Sequence, residues 1–387
     1  MKITHVRASN WRNFKSLDFR VEDRLFVVGP NAAGKSNLID LFRFVGDIAA
    51  PGGGLAAALE QRGGLSKARS LVARNYKNGR LEIDFQLSDA NAGWRYRLAV
   101  GGQKGGKNRP VVVEERVEKN GEIIVQRPNA DDRDDPERLT QTHLEQIAAN
   151  QAFRSVAEHF AKTRYFHLVP QVIRDPGVLS GAPGDMYGAN FVAQINATRP
   201  QTQRAWLRRI EAALQSAVPE FETLKLEVDA TGRPHLVAGY RNWRSKPTGQ
   251  SEADFSDGTL RLIGLLWILV SAPATGGMLL LEEPELSLNS AIIRMLPTVF
   301  ATAQRDRSMQ VVVTTHAPEL LDDEGVLPRE VLVLQPTGDG TTATLLSDID
   351  LVADQLAVEL PKSEIVEALV SPQDLSGLVA AGRSKRG

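Results

Sequence analysis

The stretch Gly29-Pro-Asn-Ala-Ala-Gly-Lys-Ser36 decides the fold, because it fits the phosphate-loop pattern G-x-x-x-x-G-K-[ST]. The run from Arg24 to Val28 before it is apolar and leads into a glycine, as a buried parallel strand does. After it, apolar residues recur at helical spacing from Leu38 to Ile48. The order of strand, loop and helix predicts an α/β fold with a mixed or parallel core sheet and helices on both faces.

This loop has the chemistry that holds a nucleoside triphosphate. Its glycines let backbone N–H groups curl around phosphates, and the start of the following helix adds partial positive charge. Lys35 can reach the β and γ phosphate oxygens, and Ser36 can ligate Mg²⁺, which prefers oxygen ligands. A chance glycine-rich turn is the alternative, but both flanking elements argue against it. The candidate ATP-binding residues here are Gly29, Pro30, Asn31, Ala32, Ala33, Gly34, Lys35, Ser36 and Asn37.

A second apolar strand, Met278 to Leu281, runs into the carboxylates Glu282 and Glu283. A phosphate-loop enzyme needs a metal partner and a group that polarises water at such a strand end. We assign Glu282 to the metal side and Glu283 to the catalytic base. A solvated acidic loop is the alternative for this stretch taken alone. Glu285 is expected to cap or pair locally.

Two further motifs follow the same logic. Ser256-Asp257-Gly258 opens an apolar helix, where the hydroxyl and backbone N–H groups can meet an anion, although an ordinary N-cap has the same sequence. His316 lies just past the apolar run Gln310 to Val313, at the level where open parallel sheets gather ligands. A lone histidine is more often structural. Because all four motifs occur in this order in one chain, a functional role is favoured for both Ser256 and His316.

Together these motifs resemble the ABC-type ATPases of the SMC, RecF and OLD group, usually labelled AAA-family ATPases. The resemblance runs from Met1 to about Leu321. It rests on Asn10-Trp-Arg-Asn-Phe-Lys15, GPNAAGKSN (29–37), FSDGTLR (255–261), LLLEEPELSLN (279–289) and TTHAPELL (314–321).

The resemblance implies an ABC-type ATPase head that works as a head-to-tail homodimer with ATP at the interface. In such proteins the signature serine, here Ser256, contacts the γ-phosphate held by a second subunit. The resemblance also implies that His316 is the switch histidine. It further implies that the loop between subunits is formed by Leu286 to Asn289. Gln171 becomes the glutamine that senses Mg²⁺, although Gln86 also follows strand-like sequence.

Several departures from the family pattern narrow the range of relatives that this chain resembles. Glu282 replaces a more usual aspartate, and Phe255-Ser-Asp-Gly-Thr259 differs from the transporter signature LSGGQ. No coiled-coil heptads of useful length separate the loop from the signature, so SMC arms are not expected. The sequence after His316 is short for a Toprim nuclease domain, and Asp348 and Asp350 are interpreted as a solvated turn.

The chain is divided into four segments by these patterns. Alternating apolar residues predict an antiparallel β-meander between Leu81 and Val125, and the acidic connector Asp131 to Glu137 is expected to be a solvated loop. The expected segments are residues 1–78 with the phosphate loop, an inserted antiparallel β and helical lobe at 79–163, the rest of the ATPase head at 164–346, and a C-terminal helical segment with a flexible basic tail at 347–387.

The charge and cysteine content of the chain limit which partners and compartments it is expected to have. Lys and Arg number 46 against 47 Asp and Glu, so any contact with DNA needs a local patch. Candidates are Lys67, Arg69, Arg74, Lys77 and Arg80, and then Lys104, Lys107 and Arg109. Solubilising surface charge is the alternative. There is no cysteine and no signal-like or membrane-spanning run, which favours the cytoplasm and no membrane partner.

The sequence therefore predicts a cytoplasmic Mg²⁺-dependent ATPase that switches a DNA-repair or anti-phage defence assembly. DNA is a candidate partner, and the family suggests a separately encoded effector such as a nuclease. One alternative is the ATPase subunit of a membrane transporter. Another is a scaffold that binds ATP without hydrolysing it.

Overall fold

The structure is a computed structural model, and it describes residues 1–70, 79–103, 109–175, 185–241, 248–274, 276–305 and 307–371. Four of the candidate DNA-contacting residues, Arg74, Lys77, Lys104 and Lys107, lie outside these ranges, as does the predicted tail from Gly382 to Gly387.

The described strands are β1 (Lys2–Trp11), β2 (Phe14–Arg20), β3 (Arg24–Val28), β4 (Leu81–Ser88), β5 (Gly93–Gly102), β6 (Pro110–Lys119), β7 (Glu122–Arg127), β8 (Arg164–Phe166), β9 (Phe221–Val228), β10 (Pro234–Tyr240), β11 (Thr248–Ser251), β12 (Met278–Glu282), β13 (Gln310–Thr314), β14 (Val331–Thr337) and β15 (Gly340–Leu345).

The described α-helices are α1 (Lys35–Ala49), α2 (Leu55–Glu60), α3 (Leu65–Ala68), α4 (Ala130–Asp134), α5 (Arg154–Ala161), α6 (Pro170–Arg174), α7 (Phe191–Ala197), α8 (Pro200–Ala217), α9 (Asp257–Val270), α10 (Ser290–Arg305), α11 (Asp350–Ala357) and α12 (Lys362–Val370). None of them is long and apolar enough to cross a membrane.

The core sheet has the strand order β15-β14-β3-β13-β12-β8. All its pairings are parallel except that of β14 with β15. Strands β12 and β13 are buried along their whole length, which explains their continuous apolar sequences. Because β3, β13 and β12 are parallel neighbours, their carboxyl ends meet at one edge of the sheet.

Two apolar cores lie on opposite faces of this sheet. Leu25 and Val27 of β3 point into one core, with α1 and the antiparallel sheet, whereas Phe26 and Val28 point into the other, with α9 and α10. The predicted α/β architecture with helices on both faces is confirmed. Burial on both faces also fixes the register, since a one-residue slip would exchange the two sets.

The predicted meander continues an N-terminal sheet. The second sheet has the order β2-β1-β4-β5-β6-β7, and β4 pairs with β1 through contacts such as Val6 with Phe85. Strands on both sides of residue 79 therefore share one sheet. The predicted boundary between the first segment and the inserted lobe at this residue stays a prediction. A third sheet, β11-β10-β9, was not predicted, because only two of the eight residues of β9 and three of the seven of β10 are buried, which leaves a weak apolar pattern.

The acidic connector is only partly solvated, so that expectation was wrong for Asp132. Asp132 is buried in α4 and accepts hydrogen bonds from Arg127 at 2.8 and 3.0 Å. Arg127 also donates to Glu115 at 3.0 Å, and all three side chains are at most 1% exposed. The guanidinium and the amide of Asn129 hold the pKa of Asp132 at about 2 despite its burial. This cluster joins the end of β7 to β6.

We expect Arg127→Met to lower the free energy of unfolding by roughly 3–5 kcal/mol, because it leaves Glu115 and Asp132 buried without their partner. Urea denaturation would measure the change. The control is Arg109→Met, which breaks the exposed pair with Glu137 and is expected to cost less than about 1 kcal/mol. Equal losses for the two variants would contradict a special role for the buried cluster.

Candidate nucleotide-binding site

The phosphate loop has the backbone conformation that its glycines allow. Gly34 has φ 97°, and a Cβ there would collide with the side chain of Asn13. At Gly29, a Cβ would lie 2.9 Å from the carbonyl oxygen of Leu334. Ala32 also has a positive φ, 63°. The loop is therefore closely packed on both sides, and its two outer glycines cannot be exchanged without moving their neighbours.

The N-terminal motif holds this loop in place. The Asn13 side chain donates to the carbonyl of Ala33 at 2.9 Å and accepts from the Asn37 side chain at 2.8 Å. The Trp11 indole donates to the carbonyl of Asn37 at 2.6 Å. Asn13 also donates to the Thr341 hydroxyl at 2.7 Å. In the sequence this motif indicates only a family resemblance. In the structure its side chains hold the phosphate loop in place.

Lys35 is buried and bends over its own loop. Its Nζ donates to the carbonyls of Gly29 at 2.8 Å and Pro30 at 3.2 Å. Burial lowers the pKa of Lys35, and the charges of Glu283, Glu285 and Glu282 partly offset that effect. The ammonium is thus surrounded by oxygen atoms that phosphate oxygens can replace with stronger, charged partners.

Glu282 is held by a hydroxyl on each side. The Ser36 hydroxyl donates to one carboxylate oxygen and the Tyr165 hydroxyl to the other. Burial raises the pKa of Tyr165, so its hydroxyl stays a donor, and the Arg43 guanidinium lies 5.0 Å from its ring. The sequence alone shows no sign of this role for Tyr165. The missing signal was the pairing of β8 with β12, which sets Tyr165 opposite Leu280.

The donor set fits Mg²⁺. Ser36 and Glu282 offer oxygen atoms at a polar cavity of about 250 Å³ that Arg12 and Asp40 also line. Among the described residues there is no cluster of three His, Asp or Glu side chains that could hold a metal. A magnesium ion here would therefore depend on Ser36, Glu282 and oxygen atoms of the nucleotide itself.

Gln171 lies away from this donor set. It belongs to α6, and its Nε2 donates to Asp257 at 3.0 Å, with no hydrogen bond to Ser36 or Glu282 in the described part of the chain. Gln86, the other candidate, lies inside β4 opposite Arg95. The assignment of Gln171 to the metal remains a prediction that this conformation does not support.

Glu283 and His316 form a pair beside Lys35. His316 Nε2 lies 3.1 Å from Glu283 Oε1, and its Nδ1 lies 3.5 Å from Lys35 Nζ. Burial and the positive charge of Lys35 lower the pKa of His316, although Glu283 opposes them. A neutral imidazole that accepts from Lys35 and donates to Glu283 satisfies both contacts, so we assign the proton to Nε2.

Glu285 fixes the backbone of the histidine loop. Its Oε1 accepts from the Thr315 hydroxyl at 2.6 Å and from the backbone N–H of His316 at 2.9 Å. The side chain is 3% exposed, and burial raises its pKa. Local pairing was expected for Glu285, but its partner is another strand end rather than its own loop.

Ser256 is the N-cap of α9. Its hydroxyl accepts from the Thr259 N–H at 3.1 Å. Asp257 is bound by Arg174 at 2.6 Å and by Gln171, while a Cβ on Gly258 would lie 2.5 Å from the carbonyl of Ser287. In the described part of the chain, Ser256 makes no hydrogen bond to the phosphate loop of its own head.

Two of the four basic candidates in the described ranges, Arg69 and Arg109, make side-chain contacts within the chain. Arg69 donates to the carbonyl of Gly79 at 2.5 Å, and Arg109 pairs with Glu137 at 2.6 Å. Their charges thus serve at least partly to hold the structure together.

Comparisons with known proteins identify a family for the chain and structures with a similar fold. The family model described as "AAA domain, putative AbiEii toxin, Type IV TA system" matches residues 25–322. A solved SMC head bound to the C-terminal winged-helix domain of ScpA is similar, with 12% identity, TM-score 0.51, and coverage of 89% of this chain and 97% of that one. The SMC head of Thermotoga maritima has 13% identity, TM-score 0.48, and 89% and 99% coverage. No curated protein matches the chain.

We expect Tyr165→Phe to raise the Mg²⁺ concentration needed for ATP binding by about 10-fold, because groups that orient metal ligands contribute 10–100-fold to affinity. The control is Tyr96→Phe, which removes a hydrogen bond from a buried tyrosine to Glu115 far from the loop. Titrating Mg²⁺ at fixed ATP measures the effect. An unchanged Mg²⁺ requirement in Tyr165→Phe would contradict the assignment of Glu282.

Proposed function

Because this chain belongs to the AAA-domain family whose model spans its residues 25–322, we propose that it is a Mg²⁺-dependent ATPase working as a head-to-tail dimer. The observation that carries the proposal is the meeting of Lys35, Glu283 and His316 beside Ser36 and Glu282. These are an ammonium, a carboxylate base, an imidazole and a metal-ligand pair at one edge of the sheet. That is the set of groups that phosphoryl transfer to water requires.

The phosphates bind at the start of α1. Backbone N–H groups of the loop and the positive end of this 15-residue helix attract the β and γ phosphates. Lys35 exchanges its carbonyl partners for phosphate oxygens. Mg²⁺ held by Ser36 and Glu282 would neutralise charge that develops on those oxygens. Asn13 and Trp11 keep the loop closed while these charges change.

Hydrolysis is an in-line attack of water on the γ-phosphate. Glu283 orients the water and takes its proton, and the bond between the γ phosphorus and the bridging oxygen breaks to give ADP and phosphate. The neutral His316 donates to Glu283 through Nε2. This hydrogen bond fixes the orientation of the carboxylate and leaves it negatively charged. Glu285 accepts a hydrogen bond from the His316 backbone and so keeps His316 in position for that contact.

The dimer is supported by what α9 leaves open. Ser256 is exposed at the N-terminus of a 14-residue helix, where an anion from another molecule can bind. A large apolar side chain is exposed beside it, because Leu286 precedes Ser287, whose carbonyl lies against Gly258, and is 37% exposed. A second head that brings its own phosphate loop to Ser256 would cover Leu286.

The cellular role we propose is a cytoplasmic switch in a DNA-repair or anti-phage defence assembly, with a separately encoded effector. The family description names a toxin–antitoxin system, and the similar SMC head was solved with a separate protein domain bound. A transporter subunit would instead co-purify with a membrane protein. A scaffold would bind ATP without turnover. ATPase rates with and without DNA would test whether DNA is the signal.

We expect Lys35→Ala to abolish ATP binding, because it removes the cation that faces the β and γ phosphates. Isothermal titration with Mg²⁺ and ATP measures the loss. Lys15→Ala, on the exposed face of β2, is the control and should bind ATP as the native chain does. Native affinity in Lys35→Ala would refute the nucleotide site itself.

For Glu283→Gln we expect turnover to fall by roughly 100-fold or more, as for loss of a positioned base, while ATP binding persists. The trapped nucleotide should then hold two heads together, which light scattering after gel filtration detects. Glu324→Gln, on an exposed loop, is the control. A Glu283→Gln protein that binds ATP but stays monomeric would speak against the dimer.

A further inference from the structure

Arg261 is a buried charge inside the helix that the signature sequence opens. It follows Leu260 in α9, and the residue is only 6% exposed. The helix beyond it is almost entirely apolar, with Leu262 and Ile263 buried beside it. A guanidinium in such surroundings is costly unless other groups compensate for its lost water. Its partners therefore indicate why it is there.

Those partners belong to the catalytic strand end. Arg261 Nη1 donates to the backbone carbonyl of Glu283 at 3.3 Å. Burial lowers the pKa of Arg261, and the charges of Glu285, Asp257 and Glu283 oppose that effect. Arg261 Nε and Glu285 Oε2 are both buried and have no hydrogen-bond partner in the described part of the chain. The guanidinium is thus held among carboxylates of the site, and its one hydrogen bond to a described residue goes to the Glu283 backbone.

Glu283 needs such support because of its backbone conformation. Its φ is 46°, in the left-handed region that favours glycine, and a glutamate there is strained. Its N–H donates to the carbonyl of Thr314 at 3.0 Å, so β13 fixes one side of the residue. Its carbonyl accepts from Arg261 and from the N–H of Leu286 at 3.3 Å, so α9 contributes to fixing the other. This backbone decides where the carboxylate points.

The same helix also packs against the loop that follows Glu283. Gly258 approaches the carbonyl of Ser287 so closely that a Cβ would lie 2.5 Å from it. The start of α9 and the loop after β12 are therefore in direct backbone contact, and Arg261 adds a second contact one turn further on. A displacement of α9 cannot leave the Glu283 backbone unaffected.

We propose that Arg261 is a positioning residue that holds the Glu283 backbone and so sets the direction of the carboxylate that orients water. It links the signature helix of a head to the hydrolytic site of the same head. This inference rests on the proposed ATPase function. It concerns chemistry after binding, since Arg261 has no described hydrogen bond to residues 29–36.

The test compares Arg261→Met with Arg307→Met. Arg307 binds carbonyls at the other end of α9, those of Val270 and Ala272, each at 3.0 Å, so the control removes the same kind of contact far from Glu283. We expect Arg261→Met to lower kcat by roughly 10- to 100-fold with KM for ATP changed less than about 2-fold, as for a displaced catalytic group. Arg307→Met should lower the melting temperature but keep kcat within about 2-fold.

A double mutant separates positioning from general damage. If Arg261 acts through Glu283, adding Arg261→Met to Glu283→Gln should not slow turnover further, whereas an independent effect would multiply. Arg261→Lys keeps the charge without the planar fork and should give a kcat between those of the native chain and the methionine variant. If the methionine variant does not fold, reduced kcat at unchanged KM in the lysine variant decides in favour.

Native kcat in folded Arg261→Met, an effect expressed only in KM, or a loss that multiplies with that of Glu283→Gln would each overturn the proposal. So would a native kcat in the lysine variant if it alone folds. These results differ from failure of the proposed function, which would show as a native chain without ATP turnover or a Glu283→Gln variant with native turnover.

Discussion

The parallel pairing of β3, β13 and β12 is the constraint on which the site depends. Val27 lies opposite Thr314, and Thr314 lies opposite Glu282, so three strands end at the same level. The phosphate loop, the two glutamates and His316 all follow directly from those ends. Because each strand is buried on both faces, the register cannot slip without moving large apolar side chains into the wrong core. The positions of the chemical groups are thus set by packing.

The parts of the site that the sequence could predict are those with local signals. A glycine pattern between an apolar strand and a periodic helix identified the loop, and paired carboxylates at a strand end identified Glu282 and Glu283. Tyr165, Asn13 and Arg261 could not be assigned roles in this way. Their importance comes from partners distant in sequence, and nothing in the neighbouring residues distinguishes Tyr165 from an ordinary core aromatic residue.

The same reason explains the error at Asp132 and why the role of Gln171 stays a prediction. The connector around Asp132 has a composition typical of solvated loops, and only the folded chain brings Arg127 and Glu115 to it. Gln171 was assigned only through the family resemblance, and the contact that it makes in this conformation depends on how α6 meets α9. Fold class follows from periodicity summed over long segments. Individual polar contacts depend on single side chains and are settled by tertiary packing.

Besides the Arg127 cluster, the chain buries another group of charges at the strand ends that carry the candidate site. Lys35, Glu285 and Arg261 are each less than 10% exposed, and each is stabilised largely by other groups of the site. Removing one of them would leave its neighbours without a compensating charge, so the groups act as a unit. Helix α9 contributes Arg261 to this unit, while its exposed Ser256 has no hydrogen bond to the phosphate loop in the described part of the chain. In the proposed function this helix has two separate roles. Its N-terminus would bind another molecule, and its second turn would support the strand end that carries Glu283. Under this proposal, a displacement at the N-terminus would be transmitted to the Glu283 backbone through the first two turns of this 14-residue helix.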